Sequence, residues 1–217
     1  MASIVAQKMP GSTVVTDSVT SDQLADFLEN RLGLKHHRFK RGYRNVINES
    51  VRLNNEGVAS GLAIETSGHG ALKENYFLDD GAYMSVKILC EVVKCKRSGK
   101  SIESMLEGLE ETAECGEFRM TIRLEEFKEY GLKVLDDFKA FAEGQETFHI
   151  VEPNYEGVRI SFNDEEVHGW MLVRMSLHDP IIPMNIETNE AGGVAVVLER
   201  IRPFFEKYES LDITSLK

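Results

Sequence analysis

Residues 64–83, "IETSGHGALKENYFLDDGAY", join a strand signal, a loop and a helix start. The stretch is entered through "SGLAIET", a short apolar run that predicts a strand. Gly68 and Gly70 bound a turn. Asp79 or Asp80 then caps a long helix carrying Tyr83, Val86, Ile88, Leu89, Val92 and Val93. A strand feeding a loop and then a helix is the unit of an α/β domain. At the strand's period of two, Glu65, Ser67 and His69 project to one side and Ile64 to the other. The carboxylate accepts hydrogen bonds, the hydroxyl donates or accepts, and the imidazole does either or shuttles a proton. Open α/β sheets bind ligands at the carboxyl ends of their strands. The residues alone leave two readings open. One is a grip for a polyhydroxylated ligand, and the other is a polar turn in which His69 satisfies a local carbonyl. A serine hydrolase fits less well, because Glu65 stands where a glycine would precede the serine.

The same alternation runs upstream. "STVVTD" is a β-branched strand ending at Asp17, and Thr20 with Gln23 forms a capping box. Leu24, Phe27, Leu28 and Leu32 keep helical spacing until Gly33 ends that helix. "LKHHRFKRG" is a second, mostly polar strand, and Val46, Ile47, Val51 and Leu53 mark a helix stopping near Gly57. The order predicts a mixed, mostly parallel sheet in an α/β/α sandwich. After Lys96 the pattern changes. "RSGKS" is a linker signal, "IESMLEGL" a short helix and "EFRMTIRL" a strand. Residues 125–142 form an amphipathic helix through Phe127, Leu132, Val134, Leu135, Phe138 and Phe141. "TFHIV", "GVRISF", "GWMLVRMS" and "PMNIET" are strands, and a last helix runs from about Gly193 to Tyr208. This half predicts a smaller α+β domain, an antiparallel sheet flanked by helices. With the boundary near residues 97–110, the domains are 1–100 and 101–217.

Composition narrows the function classes. The 217 residues are 42% hydrophobic, enough for two cores. A net charge of −11 argues against a nucleic-acid binder. Yet Arg31, Lys35, Arg38, Lys40, Arg41 and Arg44 follow one another with no acid between them, a run that would draw a small anion. Glu103, Glu107, Glu110, Glu111, Glu114 and Glu117 form the opposite run, read as a solvated face and connector. Cys90, Cys95 and Cys115 have no metal spacing and predict reduced thiols in a cytoplasmic protein. No apolar run approaches the ~20 residues that span a bilayer, so no membrane partner is expected.

"IETSGHG" followed by "FLDDGAY" resembles the third domain of the α-D-phosphohexomutases, the phosphoglucomutase/phosphomannomutase family. There a Glu-x-Ser-Gly-His loop binds the sugar and an Asp-Asp-Gly segment opens the next helix. "PGSTVVTDSVTSDQL" and "HHRFKRGYRNVI" fall in that domain's order. "GVRISFNDEEVHGWMLVRMSLHDP" is similar to the family's fourth domain, where a Gly-Trp strand leads to an Arg-x-Ser phosphate loop. The resemblance implies that Glu65, Ser67 and His69 bind sugar hydroxyls, with His69 able to shuttle a proton. It also implies that Lys40, Arg41, Gly42 and Tyr43 complete the substrate site and that Arg174, Ser176 and His178 hold a phosphate. An arginine fork, a hydroxyl and turn amides are suitable phosphate donors in their own right.

Two departures stand out. The family's phosphate loop continues Asn-Thr where this chain has Leu177 and His178, and its basic segment often has a histidine where this chain has Tyr43. The family's phosphoserine and its Asp-Gly-Asp-x-Asp-Arg magnesium loop do not occur here. The chain therefore reads as the carboxy-terminal half of a phosphohexomutase, an intramolecular phosphotransferase whose Mg²⁺ belongs to a domain outside these residues. Its partners would be a hexose phosphate and the amino-terminal domains, and by itself it would not turn over. The alternative is a stand-alone, noncatalytic sugar-phosphate binding or regulatory module.

Overall fold

The computed structural model describes residues 1–176 and 178–216. The chain divides into two compact units, Met1–Glu111 and Thr112–Lys217. The stretch at the expected boundary packs with the first unit: Ser3 Oγ donates to the Met105 carbonyl at 2.9 Å and Arg31 Nε to that of Glu107 at 3.1 Å.

In the first unit, β1 (Thr13–Thr16), β2 (Lys35–Arg38) and β3 (Ser60–Ile64) are parallel, and β4 (Gly70–Leu72) runs antiparallel at the edge. The strand order is β2-β1-β3-β4. Alternate residues of the central strands serve opposite faces. Val14 and Leu62 pack with Val5, Leu28 and Met84, whereas Val15 and Ala63 pack with Val46 and Leu53. One layer thus holds α1 (Ala2–Lys8), α2 (Asp22–Asp26) and α4 (Gly81–Arg97), and the other holds α3 (Tyr43–Asn55). This is the α/β/α sandwich expected. Three details differ from expectation. Ser21, not Thr20, caps α2 by accepting from Leu24 N–H at 3.1 Å, because Thr20 donates its hydroxyl to buried Asp17 at 2.9 Å. That helix continues as a π-helical turn, Phe27–Arg31. And α4 turns Met84, Glu91 and Cys95 inward, leaving Val86, Leu89 and Val93 exposed.

The second unit is a six-stranded antiparallel sheet in the order β10-β5-β9-β8-β7-β6. Its strands are β5 (Glu114–Ile122), β6 (Phe148–Ile150), β7 (Val158–Asn163), β8 (His168–Val173), β9 (Ile181–Thr188) and the two-residue β10 (Leu211–Asp212). Met120, Ile160, Met171, Ile182 and Met184 form one apolar core with Val134 and Phe138 of α5 (Phe127–Glu143) and Val197, Ile201 and Phe205 of α6 (Gly193–Phe205). Alternation along each strand gives the sheet its helix-facing side. This matches the expected antiparallel sheet flanked by helices.

Candidate functional site

Glu65, Ser67 and His69 do not lie on a strand. β3 ends at Ile64, and residues 65–69 form the turn into β4, closed by Glu65 N–H donating to the His69 carbonyl at 2.9 Å. Gly68 N–H donates to the Glu65 carbonyl at 3.0 Å, at φ +92°, a left-handed conformation that favours glycine. The turn, not the strand period, gathers the three side chains.

Their environments differ. Glu65 is 8% exposed. Its carboxylate accepts from Gly42 N–H at 2.6 Å and from Ser67 Oγ at 3.3 Å. Gly42 is the residue before α3, so this anion sits at a helix N-terminus, where the peptide dipoles favour it. The basic segment Lys40-Arg41-Gly42-Tyr43 and the 65–69 turn are thereby tied together, although they are distant in sequence. Tyr43 stacks on the His69 ring, centroids 5.1 Å apart, and its hydroxyl accepts from Arg44 Nε at 3.1 Å. Lys40 is exposed and Arg41 half-buried, with the Arg41 carbonyl accepting from Asn45 Nδ2 at 2.7 Å.

His69 has a second partner that the sequence did not single out for this role. Asp79 Oδ2 lies 2.8 Å from His69 Nδ1, and Asp79 Oδ1 accepts from Gly70 N–H at 3.2 Å. An ionised carboxylate only accepts, so Nδ1 carries the proton and Nε2 is left to accept or donate. Asp80 is the helix cap, accepting from Tyr83 N–H at 2.9 Å. The adjacent aspartates thus divide two tasks, one capping α4 and one orienting an imidazole.

In the second unit, β8 ends at Val173, so Arg174 and Ser176 lie just beyond it. Their amides still donate across to β9: Arg174 N–H to Pro183 O and Ser176 N–H to Ile181 O, each 3.1 Å. Arg174 is not a solvent-facing strand-end arginine. Its side chain is 14% exposed and Nη1 lies 3.8 Å from Glu156 Oε1. Gly157, at φ +63°, is pressed against this segment. A Cβ there would meet Arg174 Cβ at 2.7 Å and Cα at 2.8 Å. Ser176 Oγ accepts from Asp179 N–H at 3.2 Å, and His178 is exposed. Leu177 lies outside the described residues.

A cleft of about 510 Å³ lies elsewhere in the first unit, lined by Arg31, Glu91, Lys94, Cys95 and Glu107 among others. Its Arg31 and Lys94 already face Glu107 and Glu91, so the convergent chemistry is at the 65–69 turn. Among the described residues no group of three or more His, Cys, Asp or Glu side chains is placed to hold a metal ion. Among the same residues no helix is long and apolar enough to cross a membrane.

Comparison with known proteins agrees with this architecture. The family model for phosphoglucomutase/phosphomannomutase, alpha/beta/alpha domain III, matches residues 1–112. The fold is similar to that of a phosphoglucomutase/phosphomannomutase family protein from Burkholderia thailandensis, with 21% identity and TM-score 0.72 over 96% of this chain and 41% of that one. It is also similar to a putative phosphomannomutase from Thermus thermophilus, with 18% identity and TM-score 0.54 over 94% and 40% of the two chains. A third is Aspergillus fumigatus N-acetylphosphoglucosamine mutase, solved with GlcNAc-6P and magnesium, with 10% identity and TM-score 0.53 over 95% and 42%. The chain therefore spans about 40% of the length of these solved relatives. No curated protein matches it by sequence.

Proposed function

Because the chain belongs to the phosphoglucomutase/phosphomannomutase family, we propose that it is the carboxy-terminal, ligand-gripping half of a mutase interconverting hexose 1-phosphates and hexose 6-phosphates. Ser67, His69, Tyr43 and the remaining lone pairs of Glu65 take sugar hydroxyls, with Gly42 setting the loop. Lys40 and Arg41 attract the anionic ligand. Arg174, Ser176 and His178 hold the nonreacting phosphate. His69, oriented through Nδ1, presents Nε2 as a proton carrier. The phosphoserine and Mg²⁺ come from further domains, the metal supplying charge stabilisation for the transferring phosphoryl group. Positioning and charge stabilisation must act together in such a transfer, so this chain binds and orients but does not turn over alone. Its three free cysteines support a cytoplasmic setting.

The observation that carries this reading is the junction in the first unit. Two segments separately expected to touch substrate meet there, through Gly42 N–H on Glu65 and Tyr43 on His69. Calorimetric titration of the chain with a hexose 1-phosphate, free hexose and inorganic phosphate tests it. The sugar phosphate should bind more tightly than either part, and Ser67→Ala or His69→Asn should weaken it roughly tenfold, about 1.4 kcal/mol. A coupled mutase assay should show no turnover. Absent binding, or binding indifferent to both substitutions, would remove the reading.

A further inference from the structure

Helix α4 carries its aliphatic residues on the outside. Its buried side presents Met84, Glu91 and Cys95, while Val86, Leu89 and Val93 are 57%, 62% and 49% exposed. Their spacing of three and four places them on one stripe, extended at one end by exposed Ala82 and flanked by exposed Cys90. An ordinary surface helix does the reverse, turning its apolar stripe to the core. The turn before α4 adds Tyr76, 88% exposed, and Leu78, 57% exposed.

We propose that this stripe seats a second copy of the same chain, two α4 helices packing antiparallel about a two-fold axis near Leu89 and Cys90. Charge selects the occupant and the direction. α4 begins at Asp79 and Asp80 and ends in Lys94, Lys96 and Arg97. An antiparallel pair sets the basic last turn of each copy beside the acidic start of the other and opposes the two helix dipoles favourably. A parallel pair would stack like charges. The two-fold makes the contact self-complementary, Val86 meeting Val93 of the second copy. A 17-residue helix is only ~25 Å long. A strip that length and about 10 Å wide falls short of the ~800 Å² per partner of a standard interface, so the Tyr76–Leu78 turn joins the contact and the dimer is weak. α4 and its flanking turn supply this surface whether or not the chain binds a sugar phosphate.

Sedimentation velocity over a wide concentration series tests it. The wild-type chain should show a reversible monomer–dimer equilibrium that weakens with salt. Leu89→Glu and, separately, Val93→Glu should raise its dissociation constant at least roughly tenfold, with far-UV circular dichroism and thermal midpoint unchanged. In a Cys115→Ser background, a short bis-maleimide should link two copies through Cys90, and Leu89→Glu should abolish the link. A chain that stays monomeric at every concentration overturns the proposal and gives the stripe to a different polypeptide, such as the further domains of the longer relatives. A dimer that survives both substitutions in folded protein overturns it equally.

Discussion

Replacing Glu65 by alanine should unfasten the 40–43 segment from the 65–69 turn. In the native protein this largely buried carboxylate accepts from Gly42 N–H at 2.6 Å and from Ser67 Oγ at 3.3 Å. A hydrogen bond to a charged group contributes about 1.5–3 kcal/mol. Its place at the start of α3 adds about 0.3–1 kcal/mol through the helix dipole. Alanine removes both and strands the Gly42 amide, so the first unit should lose roughly 2–4 kcal/mol. Glutamine keeps an oxygen for Gly42 and loses only the charge, about 1 kcal/mol. Urea unfolding followed by far-UV circular dichroism measures this. At a slope of about 2 kcal/mol per molar, the Glu65→Ala midpoint should fall by roughly 1–2 M. The single tryptophan, Trp170, lies in the second unit, so its fluorescence keeps that unit's transition separate. Alanine and glutamine variants of equal stability, or an alanine variant within about 0.5 kcal/mol of wild type, the range of an ordinary surface substitution, would refute the reasoning.

Asp79→Asn should loosen the choice of His69 tautomer, since an amide can donate as well as accept; imidazole ¹⁵N shifts that stay unchanged would contradict this. Gly157→Ala should cost the second unit about 3 kcal/mol or more in Trp170-monitored unfolding. The left-handed backbone costs about 1–2 kcal/mol, and a Cβ there also meets Arg174. Asp164 is held well below the usual carboxylate range by Arg200, helped by the amides of Glu166 and Val167. A folded pKa below the unfolded value gives stability that is complete above about pH 5 and is lost as pH falls through the folded pKa. Thermal midpoints should therefore drop below that pH, and less steeply in Asp164→Asn.

Much of this architecture was legible because hydrophobic period and punctuation agree: Val14 and Val15, or Leu62 and Ala63, serve opposite faces as a doubly covered strand requires. The family and both sheet types followed from that pattern and from the resemblance at residues 64–83. What escaped was geometry that no local rule encodes. Strand alternation predicts one side for Glu65, Ser67 and His69, whereas a turn gathers them, since "GAL" is too short to announce the returning strand β4. Two adjacent aspartates look alike in sequence, and only the bridge between Ala71 and Asp79 brings the first of them to His69. Thr20 and Ser21 are equally able caps; the demand of buried Asp17 decides between them. Periodicity marked the aliphatic residues of α4 but could not say which side meets the sheet. Glu91 is tolerated inside because Lys94 reaches it at 2.7 Å. Likewise the contact of Arg174 with Glu156 depends on a loop fold that spacing does not reveal.

Both sheets finish in very short outer strands. In the first unit these are the four-residue β2, bearing Lys35, His36, His37 and Arg38, and the three-residue β4. In the second they are the two-residue β10 and the three-residue β6. Unpaired backbone at a sheet margin is a template for runaway strand addition, and brevity and charge are the usual protections against it. Brevity at these four margins, with the basic residues of β2, works against ribbon-wise growth into fibrils, so the aliphatic helix face of α4 lies on a chain whose sheet edges are poor templates for strand addition.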